Sequence, residues 1–202
     1  MAENRNRVVI FDLGNVVLDW NVERIIDSLG FDDGTLDLLR AELFAHSDWI
    51  DMDHGKKSEA AVVADICGRS SLRKDTVEQA LLAAKKSLAP IAESLSLMHE
   101  IARGGLEMFC LSNMSRETYD HIRDYELFEM FSGIVISAIE GRIKPNEDIF
   151  HLTLDRFGLE PRDTLFIDDS IANIETAESL GINGFHFKRS SDCYSGIREL
   201  LF

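Results

Sequence analysis

Acidic residues directly follow two short apolar runs in this sequence. Asp12 follows the run at 7–11, and the adjacent pair Asp168 and Asp169 follows the run at 164–167. A carboxylate at the edge of an apolar interior is unfavourable unless a cation or several hydrogen-bond donors accompany it. Adjacent like charges also repel each other unless they share a cation. If the three carboxylates meet, they form an oxygen-only site suited to Mg²⁺, which leaves room for a substrate oxygen.

Two further positions supply groups that bind anions. Ser112 follows the apolar run at 106–111 and precedes a predicted helix, so its hydroxyl and the nearby backbone amides form a predicted anion site. Lys144 lies just before a proline and another predicted helix. Most lysines are solvated, but the order of these motifs predicts that Lys144 joins the acidic residues in one site.

The elements that must position these residues alternate along the chain. Runs that are apolar on both faces occur at 7–11, 106–111, 133–137, 164–167 and 184–187. Helical patterns occur at 91–102, 116–125, 147–157, 171–180 and 195–201. Such runs are typical of strands in a parallel sheet covered by helices on both faces. The alternation predicts an α/β, doubly wound, mainly parallel five-stranded Rossmann-like core with right-handed crossovers.

Residues 20–88 break this alternation. They contain no convincing strand pattern, whereas apolar residues recur several times at helical spacing. Because the segment begins just after the first strand's loop, it should lie over the carboxyl edge of the sheet, where open α/β sheets bind ligands. We therefore expect residues 1–19 and 89–202 to form the catalytic core and residues 20–88 to form an inserted helical cap.

The composition limits the classes of partner. The 202 residues include 36 acidic and 21 basic side chains, and the formal net charge is −15. An acidic surface repels nucleic-acid phosphates, and no apolar run approaches the ~20 residues of a membrane-spanning helix. No secretory signal pattern is found, and three widely separated cysteines favour a reducing compartment. We expect a cytoplasmic monomer or homodimer without nucleic-acid or membrane partners.

Four segments, taken in order, resemble the motifs of the haloacid dehalogenase-like hydrolases. They begin at Asp12, Leu111, Lys144 and Asp168. One such motif is a weak signal, but four ordered motifs with a cap between the first two are a strong one. The resemblance covers nearly the whole chain and is greatest to bacterial glucose 1-phosphate phosphatases and to the phosphatase domain of soluble epoxide hydrolases.

The resemblance implies a magnesium-dependent phosphatase that acts on a small phosphate ester, such as a sugar phosphate, through an aspartyl-phosphate. Asp12 is then the nucleophile, and Lys144 neutralises a phosphoryl oxygen while keeping Asp12 ionised. Ser112 and the Asn113 amide bind another phosphoryl oxygen. The implied Mg²⁺ ligands are Asp12, the Gly14 carbonyl, Asp168 and Asp169.

The cap segment 49–58 resembles the part of the family's cap that faces the active site. Trp49, Asp53 and His54 are therefore expected to contact the substrate. Trp49 either stacks on a sugar ring or belongs to the cap core.

Position 14 departs from most phosphatases of this family, which carry there a second Asp that protonates the leaving alcohol. Gly14 has no such group, and positioned acid–base catalysis typically contributes ~10²–10⁴ in rate. The similar glucose 1-phosphate phosphatases also carry glycine at this position. Either substrates with good leaving groups are favoured, or Asp19, Asp53 or His54 supplies the proton.

Two other functions stay open at this point. A 2-haloacid dehalogenase uses the same kind of Asp against carbon without a metal, but its first motif usually continues with an aromatic residue and Gly-Thr. The second alternative is a non-catalytic phosphate-binding relative that lacks the acid. The presence of Asp12, Lys144, Asp168 and Asp169 argues against this alternative. Phosphate release from p-nitrophenyl phosphate with Mg²⁺ separates the three hypotheses.

Overall fold

The computed structural model describes residues 7–202. Its strands are β1 (Val8–Phe11), β2 (Glu107–Ser112), β3 (Gly133–Ile136), β4 (Thr164–Asp168) and β5 (Asn183–His186). They form one sheet in the order β3-β2-β1-β4-β5, and every neighbouring pair in the described chain is parallel. The predicted α/β doubly wound core is confirmed, and each strand end lies within one residue of the predicted run.

The α-helices of the described chain are α1 (Val22–Asp27), α2 (Asp33–Leu39), α3 (Ser47–Asp53), α4 (Glu59–Arg69), α5 (Lys74–Ser87), α6 (Ala92–Arg103), α7 (Arg116–Ile122), α8 (Ser137–Glu140), α9 (Glu147–Phe157), α10 (Ile171–Ser179) and α11 (Ser191–Leu201). A π-helical turn covers Arg40–Phe44, and 3₁₀ turns cover Glu126–Met130 and Pro161–Asp163.

Helices cover both faces of the sheet, which is why its strands are apolar on both sides. Val9 and Phe11 of β1 belong to the core that contains side chains of α6, α7 and α11. Ile10, between them, points to the opposite core, which contains side chains of α9 and α10. All three β1 residues are at most 1% exposed. The central strand is thus enclosed by two apolar layers.

The five helices α1 to α5 all lie within residues 20–88, which contain no strand. They enclose their own apolar cluster, separate from the two cores of the sheet. Its fully buried members include Ile26, Leu39, Leu43, Val62 and Ile66. The expected insertion of helices into the α/β fold is confirmed.

The chain enters and leaves this insertion side by side. The Asp19 amide donates to the Ala89 carbonyl at 2.8 Å, and the Ile91 amide donates to the Val17 carbonyl at 2.8 Å. Leu18 and Pro90 face each other between these bonds as an antiparallel bridge. On the basis of this pairing, called the neck below, we propose that the cap spans residues 20–88.

Two predicted helix boundaries in the core need correction. The predicted helix 116–125 ends at Ile122, because the chain turns there and continues into the 3₁₀ turn at Glu126–Met130. The helix predicted at 195–201 begins at Ser191, because the Ser190 hydroxyl accepts from the Cys193 amide and caps it. No helix within residues 7–202 is both long and apolar enough to span a membrane.

Candidate active site

Two neighbouring strand ends bring three carboxylates together. Phe11 lies opposite Ile167 in the register of β1 and β4, so Asp12 and Asp168 follow side by side. The oxygens of Asp12, Asp168 and Asp169 lie within 4.8 Å of one another. Asp168 is completely buried, Asp12 is 8% exposed and Asp169 is exposed. The predicted convergence of the carboxylates at the carboxyl edge is therefore observed.

Lys144 lies between two of these carboxylates and is buried. Its Nζ donates to Asp12 Oδ1 at 2.8 Å, to Asp168 Oδ2 at 2.6 Å and to the Leu111 carbonyl at 2.9 Å. The Asn113 side chain fixes the Lys144 backbone, accepting from its amide and donating to its carbonyl, both at 2.9 Å. The presence of Lys144 in the site was predicted. For Asn113, only a contact of its backbone amide with phosphate was predicted, and not the two side-chain hydrogen bonds to the Lys144 backbone.

Negative charge exceeds positive charge in this cluster. Burial, together with the charges of Asp168 and Asp169, raises the pKa of Asp12 to about 7 against the opposing effect of Lys144. Burial alone would lower the pKa of Lys144, but the charges of Asp12 and Asp168 raise it. One ammonium thus faces three carboxylates. An oxygen-only set with excess negative charge fits a hard divalent cation such as Mg²⁺.

Polar neighbours hold the two distal carboxylates in place. Asp168 accepts from the Ser170 amide at 2.8 Å and from Asn173 Nδ2 at 3.0 Å to each oxygen. Asp169 accepts from Asn15 Nδ2 at 3.0 Å. These bonds fix the carboxylates in position, so little ordering is required when a cation binds.

A cavity of about 120 Å³ lies beside the carboxylates, between the core and the inserted helices. Gly14, Ser112 and Asn113 are among its lining residues. The sequence predicts Ser112 and Asn113 as substrate-binding residues and the Gly14 carbonyl as a ligand of Mg²⁺. Ser115 caps α7 by accepting from the Thr118 amide. Most of the cavity wall is apolar and comes from Trp20, Trp49, Met52, Leu81, Ala84, Leu88 and Met114.

The three predicted cap residues occupy different environments. Trp49 and Asp53 line the cavity. His54 is outside the cavity lining, and its Nε2 lies 3.1 Å from the Gly141 carbonyl, to which it donates. Trp49 also packs between Trp20 and Phe44, with ring centroids 5.4 and 5.3 Å away, so it belongs to both the cavity wall and the cap interior.

Trp20 also lines the cavity, although it was not predicted from the sequence as a site residue. It occurs as the first residue of the insertion, immediately after the acidic Asp19. A large aromatic residue at the entrance of an insertion above a predicted ligand edge is the signal that could have identified it.

The fold is a Rossmann-like α/β fold with a lysine–carboxylate cluster at the carboxyl edge of its sheet. Residues 7–181 match the family model of the haloacid dehalogenase-like hydrolases. The chain belongs to this family.

Individual relatives extend over nearly the full length of the chain. The sesquiterpene phosphatase astK of Aspergillus oryzae is 25% identical over 199 residues, which cover 96% of each chain. A solved structure of a HAD-like family hydrolase from Porphyromonas gingivalis is 28% identical, with a TM-score of 0.76 over 96% of this chain and 97% of that chain.

A HAD family enzyme from Bacteroides thetaiotaomicron, solved with magnesium and inorganic phosphate, has a TM-score of 0.74 to this chain at 21% identity. The superposition covers 92% of this chain and 96% of that one. This similarity concerns the fold.

Proposed function

We propose that this protein is a magnesium-dependent phosphatase that hydrolyses a small phosphate monoester through an aspartyl-phosphate at Asp12. The observation that carries the proposal is the cluster in which Lys144 bridges Asp12 and Asp168 while Asp169 lies within 4.8 Å. A carboxylate nucleophile, a fixed cation and a site for a divalent metal are the parts that phosphoryl transfer needs. The phosphatase relative and the magnesium–phosphate complex of the structural neighbour support the same reaction.

The residues take the following roles in this proposal. Asp12 attacks phosphorus in line, and Lys144 neutralises charge on a phosphoryl oxygen. The Ser112 hydroxyl and the Asn113 amide bind a further oxygen. Asp12, the Gly14 carbonyl, Asp168 and Asp169 would hold Mg²⁺. When bound, Mg²⁺ supplies positive charge that shields the nucleophile from the phosphoryl oxygens.

The wall of the cavity favours an apolar alcohol over a sugar. Trp20, Trp49, Met52 and Leu88 offer mainly carbon to the space beside the phosphate site. Sugar hydroxyls buried against such a wall would lose hydrogen bonds to water without replacement. We therefore propose an alkyl or aromatic alcohol in place of the sugar expected from the sequence. The sesquiterpene phosphatase relative supports this choice.

Phosphate release from p-nitrophenyl phosphate tests the reaction. We expect turnover with Mg²⁺ that disappears with EDTA and in Asp12→Asn. Failure of the wild-type protein to release phosphate with Mg²⁺ would support the non-catalytic relative. Release of chloride from 2-chloropropionate without metal would support the dehalogenase, which no observation at this acidic, lysine-bridged site favours.

A comparison of two esters tests the choice of alcohol. Isoamyl phosphate should have a kcat/KM at least about tenfold above that of glucose 1-phosphate, because each apolar group buried against this wall contributes roughly 1–3 kcal/mol. A preference for glucose 1-phosphate would return the proposal to sugar phosphates without affecting the phosphatase reaction.

A further inference from the structure

The missing acid at position 14 leaves the leaving group without an evident proton donor. Of the described residues that line the cavity, Asp53 and Glu59 carry carboxyl groups. Glu59 is engaged in an ion pair with Lys85, whose Nζ lies 2.6 Å from its Oε2. Asp53 has no cationic partner among the described ion pairs of the chain.

The two other expected donors are engaged elsewhere. Asp19 forms ion pairs with Arg24 and, at 2.8 Å, with Arg189. Burial of Asp19 is outweighed by these arginines, which lower its pKa and keep it ionised. His54 donates to the Gly141 carbonyl and does not line the cavity. Neither group lines the cavity beside Asp12.

Three consecutive residues anchor the end of α3 to the core. The Asp53 carbonyl accepts from the Ser137 hydroxyl, and His54 binds the Gly141 carbonyl. Gly55, with a φ of +78°, lies so close to Ala138 that a Cβ would overlap the Ala138 carbonyl. These contacts fix the backbone that carries Asp53 on the core, next to the cavity.

The surroundings of the Asp53 carboxyl suit a group that alternates between two protonation states. Burial raises its pKa to about 7, assisted by the charge of Asp12 and opposed by hydrogen bonds from the Ser115 amide and the Trp49 indole. Glu59, on the facing helix α4, is neutralised by Lys85. A general acid works best when its pKa lies near the working pH.

We infer that Asp53 is the general acid and base of this enzyme, supplied by the cap in place of the side chain that Gly14 lacks. This inference rests on the proposed phosphatase function. As Asp12 forms its bond to phosphorus, the bond from phosphorus to the alcohol oxygen breaks. The alcohol oxygen keeps the electron pair and takes the Asp53 proton.

The second half of the reaction restores both carboxyl groups. Water attacks the aspartyl-phosphate, and its proton moves to the Asp53 carboxylate. The phosphorus–oxygen bond to Asp12 breaks with its electron pair returning to the Asp12 carboxylate. Inorganic phosphate leaves, and Asp53 is again protonated for the next substrate.

Leaving-group dependence distinguishes an acid from a residue that only shapes the cavity. p-Nitrophenolate departs as a stable anion, whereas an alkoxide requires a proton. Asp53→Asn should lower kcat/KM for isoamyl phosphate by roughly 10²–10⁴ and leave kcat/KM for p-nitrophenyl phosphate within about threefold. This ratio reports steps up to the first irreversible one, so slow hydrolysis of the aspartyl-phosphate does not enter it. Asp51→Asn, the same change on the same helix but off the cavity, should affect neither ester.

The pH profile and a rescue variant give independent readouts. With saturating Mg²⁺, whose charge would keep Asp12 ionised, wild-type kcat/KM for isoamyl phosphate should fall as the pH rises through about 7, where Asp53 loses its proton, and Asp53→Asn should lose this fall. A Cβ at Gly14 would meet only Asp12 Oδ2, at 3.9 Å, so the backbone has room for the Cβ of an Asp there. Gly14→Asp in the Asp53→Asn background should raise kcat/KM for isoamyl phosphate at least about tenfold above that of Asp53→Asn alone.

The outcomes separate this inference from the proposed function. An equal loss on both esters, or no loss on isoamyl phosphate, would overturn the role of Asp53 while leaving the phosphatase intact. A folded Asp53→Asn protein that Gly14→Asp fails to rescue would also count against it. If the wild-type protein hydrolyses neither ester with Mg²⁺, both the proposed function and this inference fall.

Discussion

Buried carboxylates occur in two regions of the molecule, and the two regions differ in how many cations accompany them. In the cap, Asp48 is 2% exposed and binds Lys57 Nζ and Arg69 Nη1, each at 2.6 Å. In the core, Asp12 and Asp168 share the single ammonium of Lys144, with Asp169 beside them. Asp48 has two cationic partners, whereas the core has two buried carboxylates and the exposed Asp169 for one ammonium.

The two regions differ accordingly in the protonation of their acids. Burial would raise the pKa of Asp48, but Lys57 and Arg69 outweigh it and lower that pKa. In the core, burial and the neighbouring carboxylates outweigh the effect of Lys144, and the pKa of Asp12 is raised to about 7. The comparison teaches that a buried acid with enough cationic partners keeps a low pKa, whereas a buried acid without them has a raised pKa and is a candidate for a functional role.

Asp12→Asn should produce the largest effect and should separate activity from stability. Loss of the nucleophile should lower kcat by about 10⁴-fold or more. The change also removes negative charge from a region that has too much of it, so the melting temperature without Mg²⁺ should stay the same or rise. Phosphate release and thermal unfolding measure the two quantities. A large fall in melting temperature would show that the core cluster is balanced like that of the cap.

Asp48→Asn should have the reverse effect. Breaking a buried ion pair costs about 3–5 kcal/mol, and because Lys57 and Arg69 are partly exposed, we expect a loss of about 3 kcal/mol. The activity of the folded protein should be unchanged. Urea unfolding at pH 7 measures the free energy of unfolding. A loss below about 1 kcal/mol would contradict a stabilising role for this cluster.

The stabilising contribution of Asp48 should also depend on pH. Its pKa is lower in the folded chain than in the unfolded chain. The contribution is therefore present above the unfolded-state value and is lost as the pH falls through the folded-state value. As the pH falls through the folded-state pKa of Asp48, the free energy of unfolding should therefore decrease less in Asp48→Asn than in the wild-type protein.

Magnesium should stabilise the protein by a smaller amount. At a free concentration 100 times its dissociation constant, a ligand that binds only the folded state adds about 2.7 kcal/mol. For a chain of this size we expect the melting temperature to rise by about 5–10 °C. Asp169→Asn, which changes the exposed member of the cluster, should weaken this rise. Equal stabilisation of wild type and variant would place the cation elsewhere.

The core could be predicted closely because local patterns determine it. Runs that are apolar on both faces identify strands, and each ends in the polar residue that the parallel arrangement brings to one edge. Asp12 and Asp168 were therefore foreseeable as neighbours. The bridging position of Lys144 between them was not, since it depends on the Asn113 side chain holding a backbone 31 residues further along.

The cap was harder to predict because its contacts join distant residues. Asp48, Lys57 and Arg69 lie in or between different helices, and no local period relates them. The direction of Asp53 depends on how Gly55 packs against Ala138, across 83 positions of the sequence. Sequence patterns therefore identify helices in this region but cannot specify which side chains face the cavity.

The neck has a consequence for how such a protein can change. Because Asp19 and Ala89 are hydrogen-bonded neighbours, the inserted segment starts and finishes at nearly one point on the core. An insertion whose ends already meet can be lengthened, shortened or exchanged at small entropic cost to the rest of the chain. The segment that forms most of the cavity wall is thus modular, whereas the carboxylates and Lys144 belong to the core and need not change with it. Under the proposed function, exchange of this segment would alter which alcohol is accepted and, through the proposed role of Asp53, how the alcohol is protonated as it leaves.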